Sequence, residues 1–164
     1  MPQALRDKLV GARTFNQGFA TVEYLACAFV DLDFHLLPDA GNLDPEAFER
    51  EALARIGMPD EIVMRHRTPH FAHVFAGSGY AAGYYSYMWS EVLDADAFEA
   101  FEETGDPFDP ETAARLREHI YAAGNRRDPA EAYFAFRGRM PDVGPLLKKR
   151  GLVEGLPAPA AGEA

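Results

Sequence analysis

The chain has 164 residues, 48% of them apolar, enough for one folded domain with a sizeable core. Its 16 basic and 26 acidic residues leave a net charge of −10, which argues against a nucleic-acid or anionic-membrane partner, since either would call for a basic face. The single cysteine, Cys27, rules out an intrachain disulfide and reads as a small buried apolar side chain.

The opening "MPQALRDKLVGARTF" lacks the apolar core of a secretory signal, and no apolar run is long enough to span a bilayer. A cytoplasmic protein is the expectation. Thr14 and Gln17 then have capping-box spacing at the start of a first long helix. Its apolar stripe is Phe15, Phe19, Val22, Ala26, Phe29 and Leu36, with a gap at Asp33, and Pro38 and Gly41 end it. Three later helices share one start signal. Asp44-Pro45, Asp109-Pro110 and Asp128-Pro129 each set an Asp N-cap before a Pro at the first helical position. Their stops are Gly57, Gly124 and Gly138.

A further major helix is predicted over residues 81–103, stopping at Gly105. It is apolar nearly all round at first, as for a buried or partner-facing helix, then amphipathic through Leu93, Ala97, Phe98 and Phe101. A short last helix over about residues 143–150 carries "LLKKR", whose basic residues suit the helix dipole, and stops at Gly151. No segment alternates like a half-buried strand. The fold class is therefore all-α, a bundle of about six to seven helices within residues 1–152. No interdomain linker is visible, and residues 153–164, which include "EGLPAPAAGEA", are expected to be disordered.

Candidate chemistry is concentrated in "HRTPHFAHVFAGSGYAAGYYSYMW", residues 66–89. His66, His70 and His73 are spaced by four and three, which on one helical face would suit zinc. Pro69 disfavours helix at Thr68, and Arg65 and Arg67 would repel a dication. The plainer reading is a turn whose histidines cap or bridge backbone groups. There is no HExxH helix, no Walker phosphate loop and no Gly-x-Ser-x-Gly elbow. Tyr80 and Tyr87 are seven apart, two helical turns, so a helix would set them on one face with Tyr84 between. Gly77, Gly79 and Gly83 permit unusual backbone angles and close approach of another chain. A phenol can donate a hydrogen bond to a developing oxyanion.

Three stretches, "FNQGFATVEYLACAFVDLDFH" (15–35), "RHRTPHFAHVFAGSGYAAGYYSYMWSEVLDADAF" (65–98) and "FRGRMPDVGPLLKKRGL" (136–152), carry a family likeness. Together they resemble the C-terminal part of the zinc-peptidase family containing peptidyl-dipeptidase (Dcp), oligopeptidase A, thimet oligopeptidase and neurolysin. The resemblance spans about residues 2–152, and "AAGYY" looks closest to the bacterial peptidyl-dipeptidase branch. It implies the C-terminal part of a helix-rich catalytic domain that cleaves short peptides.

It further implies that Tyr80, Tyr87 and His73 contact the peptide backbone and the tetrahedral intermediate, with Tyr87 helping to polarise the scissile carbonyl. Gly77, Ser78 and Gly79 would form the flexible, substrate-binding part of the loop, and Tyr84, Tyr85 and Trp89 are left mainly to packing. Zinc belongs to the full-length family. The HExxH helix and the downstream glutamate are absent from this sequence, so no metal ligand is assigned, no zinc is expected on this chain, and it should be inactive alone. The expected partners are short peptides, the zinc-bearing part of the enzyme, or a second copy. The alternative is a non-enzymatic helical module that binds peptides or another chain, and a third reading is a small zinc protein using His66, His70 and His73.

Overall fold

The computed structural model describes residues 1–153, and among them every regular element is helical. In chain order these are α1 (Gln3–Ala12), α2 (Gln17–His35), α3 (Pro45–Arg55), a 3₁₀ turn (Thr68–His70), the single-turn α4 (Ala72–Phe75) and α5 (Ser86–Glu102). They are followed by α6 (Pro110–Leu116), which runs into a π turn (Arg117–Tyr121), then α7 (Pro129–Arg137) and α8 (Gly144–Lys149). The all-α expectation holds. The expected disordered tail lies, from residue 154 on, outside the described residues.

The Asp-Pro starts act as their chemistry dictates. Asp44 accepts from the backbone N–H groups of Glu46 and Ala47, Asp109 from Thr112, and Asp128 from Ala130 and Glu131. Gly57, Gly124 and Gly138 all adopt left-handed φ values, of 67°, 56° and 79°, where a Cβ would be strained. The start of α2 differs from expectation. Asn16, at φ 57°, precedes the helix without a side-chain cap, and Gln17 Nε2 donates to Arg13 O rather than taking part in a box with Thr14.

The chain forms two compact units, Met1–Met88 and a second beginning at Trp89. The boundary falls inside α5, which is why no Pro- or Gly-rich linker marks it. In the first unit α2 packs on α3. The core holds Ala26, Cys27, Val30, Ala52, Met64, Phe71, Val74 and Tyr84, and burial pushes the Cys27 thiol up from its ordinary range. This is not the face predicted from the stripe. Phe15, Phe19, Val22, Phe29 and Leu36 are exposed, Phe15 at 82%, and only Ala26 of that set is buried. Apolar periodicity located the helix, but two faces of α2 are apolar and the core took the one with Cys27 and Val30.

In the second unit Ala95, Ala100, Phe101, Ala123, Ala132, Tyr133, Phe136 and Leu146 form the buried apolar set. Beside it, Asp96 on α5 is fully buried. Tyr133 Oη donates to its Oδ2 at 2.5 Å, Arg137 Nε lies 3.4 Å from the same oxygen, and Arg139 Nη2 lies 2.6 Å from Oδ1. Burial pushes the Tyr133 phenol well above its ordinary range, and the hydrogen bond to Asp96 adds to the shift. Arg137, itself only 7% exposed, also reaches Glu103 at 2.6 Å.

Candidate functional site

In the first unit the loop between α4 and α5 gathers three of the predicted residues into one cluster. His73 projects from the single turn α4, and its ring stacks on Tyr80 with centroids 4.6 Å apart and planes 23° from parallel. His73 Nε2 lies 3.0 Å from Tyr87 Oη. All three rings are exposed, Tyr80 at 61% and Tyr87 at 49%. Beneath them Tyr84 is buried, with edge contacts to His73 at 6.2 Å, Tyr87 at 5.6 Å and Phe71 at 4.9 Å. Burial raises the Tyr84 phenol above its ordinary range, so it serves as an uncharged floor to the cluster.

The two outer tyrosines do not share a helical face. α5 begins at Ser86, not at Ala81, and residues 81–85 form successive turns. Gly83 N donates to Tyr80 O at 3.0 Å, and Ser86 N to Gly83 O at 3.1 Å. The helix starts late because two amides bond elsewhere. Ala82 N donates to Asp31 Oδ1 at 3.2 Å, and Tyr84 N donates to Asp31 Oδ2 at 2.9 Å. Asp31 sits on α2 and is only 1% exposed. His35 Nδ1 lies 2.8 Å from both the backbone oxygen and Oδ1 of Asp31. Two turns earlier on α2, the Tyr24 hydroxyl donates to Tyr84 O and accepts from Met88 N at 3.2 Å, and its ring stacks on Tyr84 at 5.0 Å.

The glycines do not supply the unusual backbone angles expected of them. Gly77 and Gly79, like Ser78 between them, are exposed, and a Cβ added to either glycine would meet nothing within 4 Å. Neither they nor Gly83 has positive φ; the left-handed residue of the loop is Ala82, at φ 56°. Gly83 is the position where close approach matters, since an added Cβ would lie 3.1 Å from Tyr80 O. Tyr85 and Trp89, expected to pack, are 49% and 54% exposed. Sequence reasoning also missed Asp31 and Tyr24. The available signal was an acidic residue inside the apolar run "CAFVDLDFH", seven positions after a tyrosine.

The His66, His70 and His73 series does not form a metal site. His66 stacks on Phe71 at 4.9 Å, His73 faces the tyrosines, and His70 is exposed at the end of the 3₁₀ turn. That turn is capped by a carboxylate rather than by imidazoles. Buried Glu49 accepts from Thr68 N and Oγ1 at 2.9 and 2.8 Å, and from Arg67 Nε at 2.5 Å. Among the described residues no group of three or more His, Cys, Asp or Glu side chains is placed to hold a metal ion. The residues present do not fit zinc.

The chemistry the cluster can perform is hydrogen bonding. A phenol oxygen accepts as well as donates. In the tautomer with hydrogen on Nε2, His73 donates to Tyr87, and the Tyr87 hydrogen is free for an external acceptor. The second unit holds a cavity of about 440 Å³ walled by Phe98, Phe101, Tyr121, Tyr133 and Phe136, with His119 on the π turn. No helix among the described residues is long and apolar enough to cross a membrane.

The sequence profile of peptidase family M3 matches residues 1–152. A dipeptidyl carboxypeptidase of Salmonella typhimurium is 37% identical over 155 residues, and one of Escherichia coli 38% over 154; each alignment covers 93% of this chain and 22% of the relative. The organellar oligopeptidase A of Arabidopsis thaliana is 39% identical over 160 residues, 93% of this chain and 20% of its own length. The chain thus spans about a fifth of the length of these relatives.

Proposed function

Because the chain belongs to peptidase family M3, we propose that it forms the substrate-holding part of a zinc peptidase that cleaves short peptides, with Tyr80, Tyr87 and His73 as the residues that grip the substrate. The observation that carries this reading is the convergence of two exposed phenols and an imidazole, with Tyr87 Oη 3.0 Å from His73 Nε2. His73 orients the Tyr87 hydroxyl. Tyr87 donates to the carbonyl oxygen as it gains negative charge, and Tyr80 hydrogen-bonds the peptide beside it. Hydrolysis also needs an activated water, and among the described residues no group is placed to supply one through a metal. On this reading zinc is held by a part of the enzyme outside these residues, and the 164-residue chain assayed alone on a peptide shows no hydrolysis. We place the protein in the cytoplasm, in keeping with its lone buried cysteine, Cys27.

The test is Tyr87→Phe in a complete enzyme carrying this loop, assayed on a quenched-fluorescence peptide. Loss of one oxyanion donor lowers kcat about 10²–10³-fold with a smaller change in KM. An unchanged kcat rejects the role assigned to Tyr87.

A second reading rests on a separate observation. Leu5, Leu9 and Val10 of α1, and Phe19, Val22 and Phe29 of α2, are all exposed. If these side chains form one contiguous patch, the isolated chain docks through it on a partner or on itself. Sedimentation velocity over rising concentration shows association on this reading. A strictly monomeric chain that binds no peptide counts against it.

A further inference from the structure

We propose that Asp31, assisted by Tyr24, is a positioning residue for the tyrosine cluster, acting through the loop backbone rather than on substrate. The inference rests on the reading of Tyr80 and Tyr87 given above. Tyr24 and Asp31 are seven residues apart on α2 and so project from one face. Between them they bond the loop at four backbone points: Ala82 N, Tyr84 N, Tyr84 O and Met88 N. Tyr80 precedes this bonded segment and Tyr87 lies within it. Holding 82–88 to α2 sets the separation of the two phenols and brings both against His73.

The local sequence would otherwise do something else. "YAAGYYSYMW" carries the apolar pattern of a continuing helix. In such a helix Ala82 and Tyr84 N–H would bond carbonyls four residues back. The Asp31 carboxylate accepts both hydrogens instead, and Ala82 takes the left-handed conformation that lets the chain turn, at φ 56°. That conformation disfavours a residue with a Cβ, so it persists only because the surrounding contacts impose it. A buried carboxylate bonded to backbone amides is a strong, directional anchor. Its cost of burial is offset at three places: two amides and the His35 ring.

The experiment uses the 164-residue chain in solution, with amide exchange and ring-to-ring cross-relaxation read by NMR. In Asp31→Ala, exchange at Ala82 and Tyr84 rises about ten- to hundredfold. Cross-peaks from His73 to Tyr80 and Tyr87 are lost, while amides of α3 and of the second unit keep their protection. Asp31→Asn, which retains one acceptor oxygen, restores part of the pattern. Cross-peaks at wild-type intensity in folded Asp31→Ala overturn the proposal, as does protection lost evenly across the first unit.

If Asp31→Ala does not fold, Tyr24→Phe carries the test, because its ring still packs on Tyr84. Loss of Met88 protection and a weakened His73–Tyr87 cross-peak support the proposal; an unchanged cluster overturns it. Neither readout involves hydrolysis. Persistent ring contacts sink the positioning role whatever Tyr87 does for a substrate. An unaltered kcat in Tyr87→Phe sinks the substrate role whatever holds the loop.

Discussion

Each unit of this chain buries one aspartate on a long helix, and the two are satisfied in opposite ways. Asp31, 1% exposed, spends its oxygens on the backbone amides of a loop, with one histidine ring nearby. Asp96, fully buried, meets side chains: the Tyr133 hydroxyl and the guanidinium groups of Arg137 and Arg139. Backbone amides carry no net charge, so the first arrangement dictates where a chain segment runs. Guanidinium groups do, so the second neutralises charge and joins α5 to α7 and the segment after it. The surface cluster is found beside the first kind. A loop that must present exposed rings in one geometry needs its main chain held, and side-chain ion pairs do not do that.

This contrast makes graded predictions. Asp96→Ala has the largest effect, because it strips Tyr133, Arg137 and Arg139 of one buried carboxylate and leaves Arg137, only 7% exposed, with Glu99, Glu103 and the backbone oxygen of residue 96. Urea unfolding should show a loss of about 3–5 kcal/mol, with exchange rising along α5 and α7. Asp31→Ala costs less, about 2–4 kcal/mol for two amides left without an acceptor, and its exchange signature stays within residues 82–88. Equal losses with the same spread in both variants would erase the distinction between the two aspartates.

The smallest effect is a pH dependence confined to the ion-paired network. Glu103 is held below the usual glutamate range, chiefly by its hydrogen bonds from Arg137. A carboxylate whose folded value is depressed stabilises the fold above its unfolded value, and that stability is lost as pH falls through the folded one. Acidification from about pH 5 downward, past the ordinary glutamate value near 4.3, should therefore lower the stability of the second unit. Glu103 is half-exposed, so solvent screens the effect and it stays small. Glu103→Gln should flatten that part of the profile. A wild-type profile retained in the variant would assign the acid sensitivity to other carboxylates.

Much of the helical framework is legible in the sequence. The Asp-Pro pairs at 44–45, 109–110 and 128–129 each begin a helix in which the carboxylate caps the first turn, because the signal and its partner lie within four residues. Local chemistry is read locally. α1 was missed, since none of its residues is buried and its apolar positions set no core-facing stripe. The start of α5 was misplaced by five residues for a different reason. Its amides answer to Asp31, more than fifty positions earlier, and no window of neighbouring residues contains that information.

The candidate site divides along the same line. Sequence alone named its proposed members, since His73, Tyr80 and Tyr87 lie in a stretch that resembles one peptidase family, and that family's profile matches residues 1–152. It also pointed to Pro69 as disfavouring a helical face for His66, His70 and His73. Only the tertiary structure decided how the three residues meet. They converge through a turn pinned to α2, with Ala82 rather than a glycine in the left-handed conformation, and not along a helical face. The physical reason is that backbone hydrogen bonds are exchangeable. A helix offers each amide a carbonyl four residues back, and a buried carboxylate on another helix outbids it only where packing has already brought the two together.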